Sequence, residues 1–377
     1  MKKRQLGILL LLMLFIHSTS QLIFAERSNT LFYKSDSESQ QLDLFFAGDL
    51  MLHGAQYKSS FDSKTGLYNF KDWFHHFVLK IASADYALLN FETTITENSS
   101  AYSGFPLFRS PDQIVYDLKS VGFDGVVTAN NHSLDGGLKG LLTTIKHLEQ
   151  AKLGYTGTAP LNAQTKPLLI EKNGIKIALI NATYGTNGLP IPKDHPNAIN
   201  LLSTQVIEVQ MRQALALKPD AVIAYVHWGV EYQRQPNSYQ KEWAQRIAEL
   251  GATAIIGAHP HSIQPEAWLT TADGRSVYVN YSLGNFISNQ RWRYSDTGLA
   301  ITLTLKRAKT SGPLELTVKH HPIWVDKELS SGAIDYTIIP LLNAPTLKRL
   351  GSKDLRLMKE ALSDFYELYP HVKKTNP

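Results

Sequence analysis

The sequence contains no cysteine. Disulfides, thiolate metal sites and thiol-linked lipids are therefore excluded, so any metal must be held by His, Asp, Glu or Asn side chains. Excess charge is also scarce. Without Lys2, Lys3 and Arg4, the basic residues of the first 25 positions, the formal charge falls from +5 to +2. No stripe of Lys and Arg interleaved with aromatics runs along the chain, which argues against nucleic acid as a partner. Internal repeats and low-complexity stretches are missing, apart from one serine-rich segment near the N-terminus. What is present is a 377-residue chain with 43% hydrophobic residues, enough for one large domain or two ordinary ones.

The three basic residues precede an apolar run from Leu6 to Ile16 and then the polar stretch His17-Ser18-Thr19-Ser20. That is the layout of a secretory signal, and it predicts export to the cell envelope, periplasmic or extracytoplasmic and membrane-associated. Residues 1–25 fit either a cleaved signal ending at Ala25 or a retained N-terminal anchor, since Ile23 is β-branched where a small residue is usual. Residues 26–41 read as a polar, serine-rich linker.

From Leu42 onward, short apolar runs alternate with segments of helical period. The run Leu42 to Ala47 stops at Gly48-Asp49, Tyr86 to Phe91 stops at Glu92, and Gly125 to Ala129 stops at Asn130-Asn131-His132. Ala221 to Val226 ends at His227, and Ala254 to Ile256 leads into Gly257-Ala258-His259-Pro260-His261. Helical patterns fall between them: Trp73 to Ile81, Ile114 to Val121, Leu134 to Leu148, Val206 to Leu217, and a segment capped by Asn237 or Ser238 that ends at Gly251. Such alternation predicts an α/β fold with parallel strand pairs covered by helices, and ligands in such sheets gather at the carboxyl ends of the strands.

Those ends carry Asp49, Glu92, Asn131, His132, His227, His259 and His261. One His-x-His is a weak signal, equally readable as two loop histidines. Five strands that each end in metal-ligand residue types, with no Lys or Arg among them, predict a metal site. Asp135 has two readings, as the carboxylate that fixes the His132 tautomer or as the N-cap of the following helix. Glu231 and Asn285 are candidates to support the ligands from outside. Trp228, Tyr232, Tyr281 and Phe286 either line a pocket or belong to the core. After His261, strand-like segments at 265–269, 276–283, 299–305 and 314–319 predict an antiparallel addition, with Ala272-Asp273-Gly274 as a hairpin turn. The expected main domain is 42–325. Residues 326–377 are expected to form a helical extension, with its helix from Ala344 to Leu368.

Six motifs in order carry a resemblance: Ala-Gly-Asp-Leu-Met-Leu at 47–52, Leu-Asn-Phe-Glu at 89–92, Ala-Asn-Asn-His-Ser-Leu-Asp at 129–135, Val-His-Trp-Gly-Val-Glu-Tyr at 226–232, Gly-Ala-His-Pro-His at 257–261, and Ser-Leu-Gly-Asn-Phe at 282–286. Over about Leu44 to Gln290 the chain resembles the bacterial capsule synthesis CapA family of poly-γ-glutamate capsule, which is similar to the calcineurin-like metallophosphatases. The resemblance implies a four-layer α/β/β/α sandwich and one or two divalent transition ions, Mn, Fe or Zn. It further implies Asp49 and His261 at the first ion, Glu92 in the bridging position, and Asn131, His227 and His259 at the second, with His132 beside the substrate. Two departures stand out. Met51 occupies the place of a usual histidine ligand, unless His53 takes over, and Glu92 is one methylene longer than the usual Asp. The implied partners are an envelope polymer or its phosphorylated precursor and a membrane-bound polymer synthesis complex. The implied activity is phosphoester hydrolysis, the alternative being a non-catalytic, metal-containing scaffold.

Overall fold

The computed structural model describes residues 39–308, 312–330, 333–342 and 350–375. The expected signal, most of the expected linker and the start of the expected C-terminal helix at Ala344 lie outside the described residues. No helix among the described residues is long and apolar enough to cross a membrane.

Among the described residues, fourteen strands build the two large sheets. The first has the order Ala333–Pro340, Glu315–Ser330, Thr297–Arg307, Gln40–Leu50, Tyr86–Phe91, Gly125–Val127, Gly154–Thr156, with Asn285–Ile287 paired to the end of Gln40–Leu50. The second has the order Ile263–Thr270, Ser276–Leu283, Ala254–Ala258, Ala221–His227, Ile175–Thr183, Leu168–Lys172. In the second, the four central strands run parallel and the two outer ones antiparallel.

Period-two alternation determines how these sheets stack. Leu42, Leu44 and Phe46 face inward and share one core with Ile177, Ile223, Tyr225 and Ile256 of the second sheet. Phe45 and Ala47, one residue out of phase, pack the other way onto Phe74, Ile114 and Leu118. On the far side of the second sheet, Ala178, Ile180, Val222 and Ile255 pack on Ile207, Met211, Ala244 and Ile247. The result is four layers, helix on sheet on sheet on helix.

The helix Ser238–Glu249 starts as expected, with the Asn237 side chain accepting from the Gln240 N–H at 2.9 Å and Gln240 accepting from the Asn237 N–H at 3.1 Å. The expected helix over Trp73–Ile81 is instead a 3₁₀ turn, Lys71–Phe74, followed by a short helix, Val78–Ala82. Trp73, Phe77 and Ile81 are nonetheless buried. The hairpin of Leu168–Lys172 and Ile175–Thr183 was not expected, although Asn173-Gly174, with φ of 54° and 75°, is a two-residue hairpin turn of the usual kind.

The C-terminal part also departs from expectation. Glu315–Ser330 runs across the boundary placed between 325 and 326, and Ala333–Pro340 extends the same sheet before the helices Ser352–Leu368 and Pro370–Thr375. These outer strands mix buried Trp324, Val325 and Ile338 with exposed polar positions, which breaks the apolar run that marks a central strand.

Gly257 lies mid-sheet, where a Cβ would meet the Tyr281 carbonyl oxygen at 1.9 Å and Trp228 Nε1 at 2.7 Å. Gly257→Ala is expected to cost about 3 kcal/mol, the upper end of ordinary overpacking, read as a lower urea midpoint. A loss below about 1 kcal/mol would mean that the strand yields more easily than this packing implies.

Candidate metal centre

Each sheet brings its carboxyl ends to one place. Asp49 lies next to last in Gln40–Leu50, Glu92 directly follows Tyr86–Phe91, and Asn131 and His132 follow Gly125–Val127. From the second sheet, His227 closes Ala221–His227, while His259 and His261 follow Ala254–Ala258. All seven side chains are buried. His259 and His261 have φ of +97° and +51°. A non-glycine residue in this region costs about 1–3 kcal/mol, so the surroundings must hold the turn. The His259 N–H donates to Asp49 Oδ2 at 3.3 Å, and the Tyr232 N–H donates to the Pro260 carbonyl at 2.7 Å.

Glu92 is the focus of the cluster. Its Oε1 lies 3.6 Å from His227 Nε2, 3.8 Å from His261 Nε2 and 4.0 Å from His132 Nε2, yet it has no hydrogen-bond partner among the described residues. His259 Nδ1 is likewise buried without a partner among them. The donor atoms form two overlapping groups that share Glu92: Asp49, Glu92 and His227, and Glu92, His259 and His261. The resemblance pairs the histidines differently. Direct contacts cut across the groups, since His261 Nδ1 lies 3.1 Å from Asp49 Oδ2 and His227 Nε2 lies 2.9 Å from Asn131 Oδ1.

Burial, followed by the Asp49 carboxylate, pushes the Glu92 carboxyl well above its usual range. Burial likewise drives His227 and His259 well below the usual imidazole value, and neighbouring histidines add to the effect. Neutral imidazoles, one of them with an unpartnered ring nitrogen, gathered around a buried carboxyl with an unpartnered oxygen form a donor set that fits a divalent ion.

His132 stands at the edge of this set. Its Nδ1 is 2.7 Å from Asp135 Oδ2, and Phe108 packs edge-on against the ring at 4.7 Å between centroids. Asp135 does not cap the helix Gly137–Gln150, whose N-cap is Gly136 with no side-chain bond. Its Oδ2 also accepts from the Phe108 N–H at 2.6 Å. Met51 is buried. His53 Nδ1 lies 3.2 Å from Gln56 Oε1 and accepts from the Asn289 N–H at 3.4 Å, while burial lowers its pKa to about 4.

Asn90 is the residue the sequence reading missed. Its Nδ2 reaches Asp49 Oδ1 at 2.8 Å, Glu92 Oε2 at 3.1 Å and His227 Nδ1 at 3.3 Å. The amide orientation follows from its neighbours. Asn130 Oδ1 accepts from the His132 N–H, so Asn130 Nδ2 donates to the Phe91 carbonyl and to Asn90 Oδ1. The signal was available, because Asn90 and Glu92 are two apart and share a strand face. Tyr184 and Asn187 were also missed, as they follow the unexpected strand Ile175–Thr183. Tyr184 packs 4.5 Å from the His259 ring, and Asn187 Oδ1 accepts from Asn131 Nδ2 at 3.1 Å.

Among the remaining candidates, Asn285 Oδ1 lies 3.1 Å from His261 Nδ1, whereas Glu231 is exposed. Trp228, Tyr281 and Phe286 belong to the hydrophobic cores, and Tyr232 packs 6.0 Å from the His261 ring.

The model of the bacterial capsule synthesis protein PGA_cap family matches residues 43–290. This chain belongs to that family. It is 29% identical over 276 residues to the capsule biosynthesis protein CapA of Bacillus anthracis, covering 70% of this chain and 64% of that one. It is 28% identical over 282 residues to the PGA biosynthesis protein CapA of Bacillus subtilis strain 168, covering 73% and 70%. Among solved structures, the NAD nucleotidase NadN of Haemophilus influenzae superposes with a TM-score of 0.50 at 14% identity, over 87% of this chain and 63% of that one. The fold of this PGA_cap member is thus the four-layer α/β/β/α sandwich that the resemblance implied, and it is shared with NadN.

Proposed function

We propose that this PGA_cap member is an exported protein of capsule or envelope-polymer biosynthesis with a metal-dependent phosphoesterase site, acting on a poly-γ-glutamate-type polymer or a phosphorylated precursor. The observation that carries the proposal is the buried, unpartnered Glu92 Oε1, faced by the Nε2 atoms of His227, His261 and the Asp135-anchored His132. Asp49, Glu92, Asn131, His227, His259 and His261 would hold one or two ions of Mn, Fe or Zn. A bound ion of this kind polarises a phosphoryl oxygen and makes water nucleophilic near neutral pH. Asn90 keeps the Asp49 and Glu92 carboxylates close by donating to both. With Nδ1 tied to Asp135, His132 presents Nε2 to the reacting group and donates the proton that the departing oxygen needs.

A second reading, a metal-containing scaffold of the polymer synthesis complex, is favoured by Met51 and by the engagement of His53 with Gln56 and Asn289. Metal content and turnover separate the two. The reconstituted protein is expected to hold a transition metal near stoichiometry and to hydrolyse a phosphodiester such as bis-p-nitrophenyl phosphate with Mn, both falling on His227→Ala. Metal retention without turnover, with Mn, Fe or Zn, would favour the scaffold.

A further inference from the structure

A second constellation with metal-ligand chemistry lies apart from the residues above. Glu266 is on the outer strand Ile263–Thr270 of the second sheet, His320 is on Glu315–Ser330 of the first, and His371 is in the C-terminal helix Pro370–Thr375. Three elements distant in sequence thus place one donor each at a single point. His320 Nε2 lies 2.7 Å from Glu266 Oε2, and His371 Nε2 lies 3.0 Å from Glu266 Oε1. The two imidazole rings are 5.5 Å apart, and the three donor atoms fall within 4.8 Å of one another.

We infer that Glu266, His320 and His371 form a second zinc-type site, a clasp that fastens the C-terminal helix to both sheets. Two imidazole nitrogens and a carboxylate are the borderline donor set that Zn²⁺ accepts. Donors about 2.0–2.1 Å from a tetrahedral ion are about 3.4 Å apart, so His320, 2.7 Å from Oε2, and His371, 3.0 Å from Oε1, must each open by about half an ångström, while the two imidazole nitrogens, within 4.8 Å of each other, close on the ion. The Tyr278 hydroxyl donates to Glu266 Oε2 at 2.6 Å and fixes the carboxylate from outside, as partners of metal ligands do. Burial raises the Glu266 pKa, but the hydrogen bonds and charge of His320, the Tyr278 hydroxyl and His371 outweigh it and hold the carboxyl below its usual range. The donors border a cavity of about 550 Å³ that leaves room for a fourth ligand.

This inference does not depend on the proposed activity, and zinc stoichiometry separates the two sites. The full chain is stripped with chelator, dialysed against Zn²⁺, and its metal content is measured for the wild type, His371→Ala, Glu266→Gln and His259→Ala. The His371 side chain is 57% exposed, so its replacement leaves the fold in place. His371→Ala and Glu266→Gln are each expected to lose one equivalent relative to the wild type, and His371→Ala to lose one more equivalent when combined with His259→Ala. With Co²⁺ in place of Zn²⁺, the visible band of one tetrahedral ion should vanish in His371→Ala. Wild-type zinc content in both His371→Ala and Glu266→Gln would overturn the site and leave a hydrogen-bonded latch. Loss of an equivalent on His371→Ala but none on His259→Ala would instead refute the metal centre at Glu92 and retain this one.

Discussion

His132→Ala is expected to lower phosphoester turnover by about 10²- to 10⁴-fold, the usual worth of a general acid, while the metal content stays at the wild-type level. The imidazole is held by Asp135 at 2.7 Å and by the Phe108 ring, not by the donor cluster, so its loss leaves Glu92, His227, His259 and His261 in place. Asp135→Asn should give a smaller loss, because it disturbs the tautomer and orientation of His132 without removing it. The same substitution weakens the bond to the Phe108 N–H, so melting temperatures must accompany the rates. If His132→Ala retained full turnover and full polymer output in a complemented strain, while Glu92→Ala and His259→Ala failed, the metal would be structural.

Glu92→Gln is expected to abolish metal binding and yet make the metal-free protein more stable. The wild-type carboxyl is fully buried, has an unpartnered oxygen, and is pushed up by burial and by Asp49. Because its folded pKa lies above its unfolded one, its contribution to stability is fully present below about pH 4.5. That contribution is lost as pH rises through the folded value. His227 and His259 behave oppositely: their folded pKa values are depressed, so their contribution is present above about pH 6.5 and lost as pH falls. The histidine contribution is complete above about pH 6.5, so any slope that remains as pH rises further is the one from Glu92. Glu92→Gln should flatten it and gain on the order of 1–3 kcal/mol near pH 8, measured by denaturant unfolding in chelator. Equal or lower stability than wild type there would mean that the carboxylate is not the costly element of the empty cluster.

Much of this site was legible because strands announce their ends: an apolar run stops, and the next side chains are Asp, Glu, Asn or His. Burial on both faces made the runs ending at Asp49, Glu92 and His227 nearly continuous and hence conspicuous. Asn90 was hidden by the same logic, since a polar residue inside an apolar strand reads as an interruption until its partners are seen. Tyr184 and Asn187 were lost with their strand, although Asn173-Gly174 marked its beginning. Past Glu315 the sequence marks only 314–319 as a strand and leaves Ala333–Pro340 unmarked, because a half-exposed strand dilutes its apolar signal with polar positions. The three-way meeting of Glu266, His320 and His371 has no local signature at all, since it depends on where separate elements end in space.

The central place of Gln40–Leu50 also bears on the order in which the molecule can be completed. This strand is flanked by Tyr86–Phe91 on one side and by Thr297–Arg307 on the other, a partner made some 250 residues later. Until that partner arrives, the strand bearing Asp49 is an open edge, with unpaired amides and carbonyls that invite any stray strand. A chain that stops short of Arg307 would therefore expose that edge to aggregation before it could hold an ion. In cells, then, termination before Arg307 would yield insoluble protein rather than a soluble fragment.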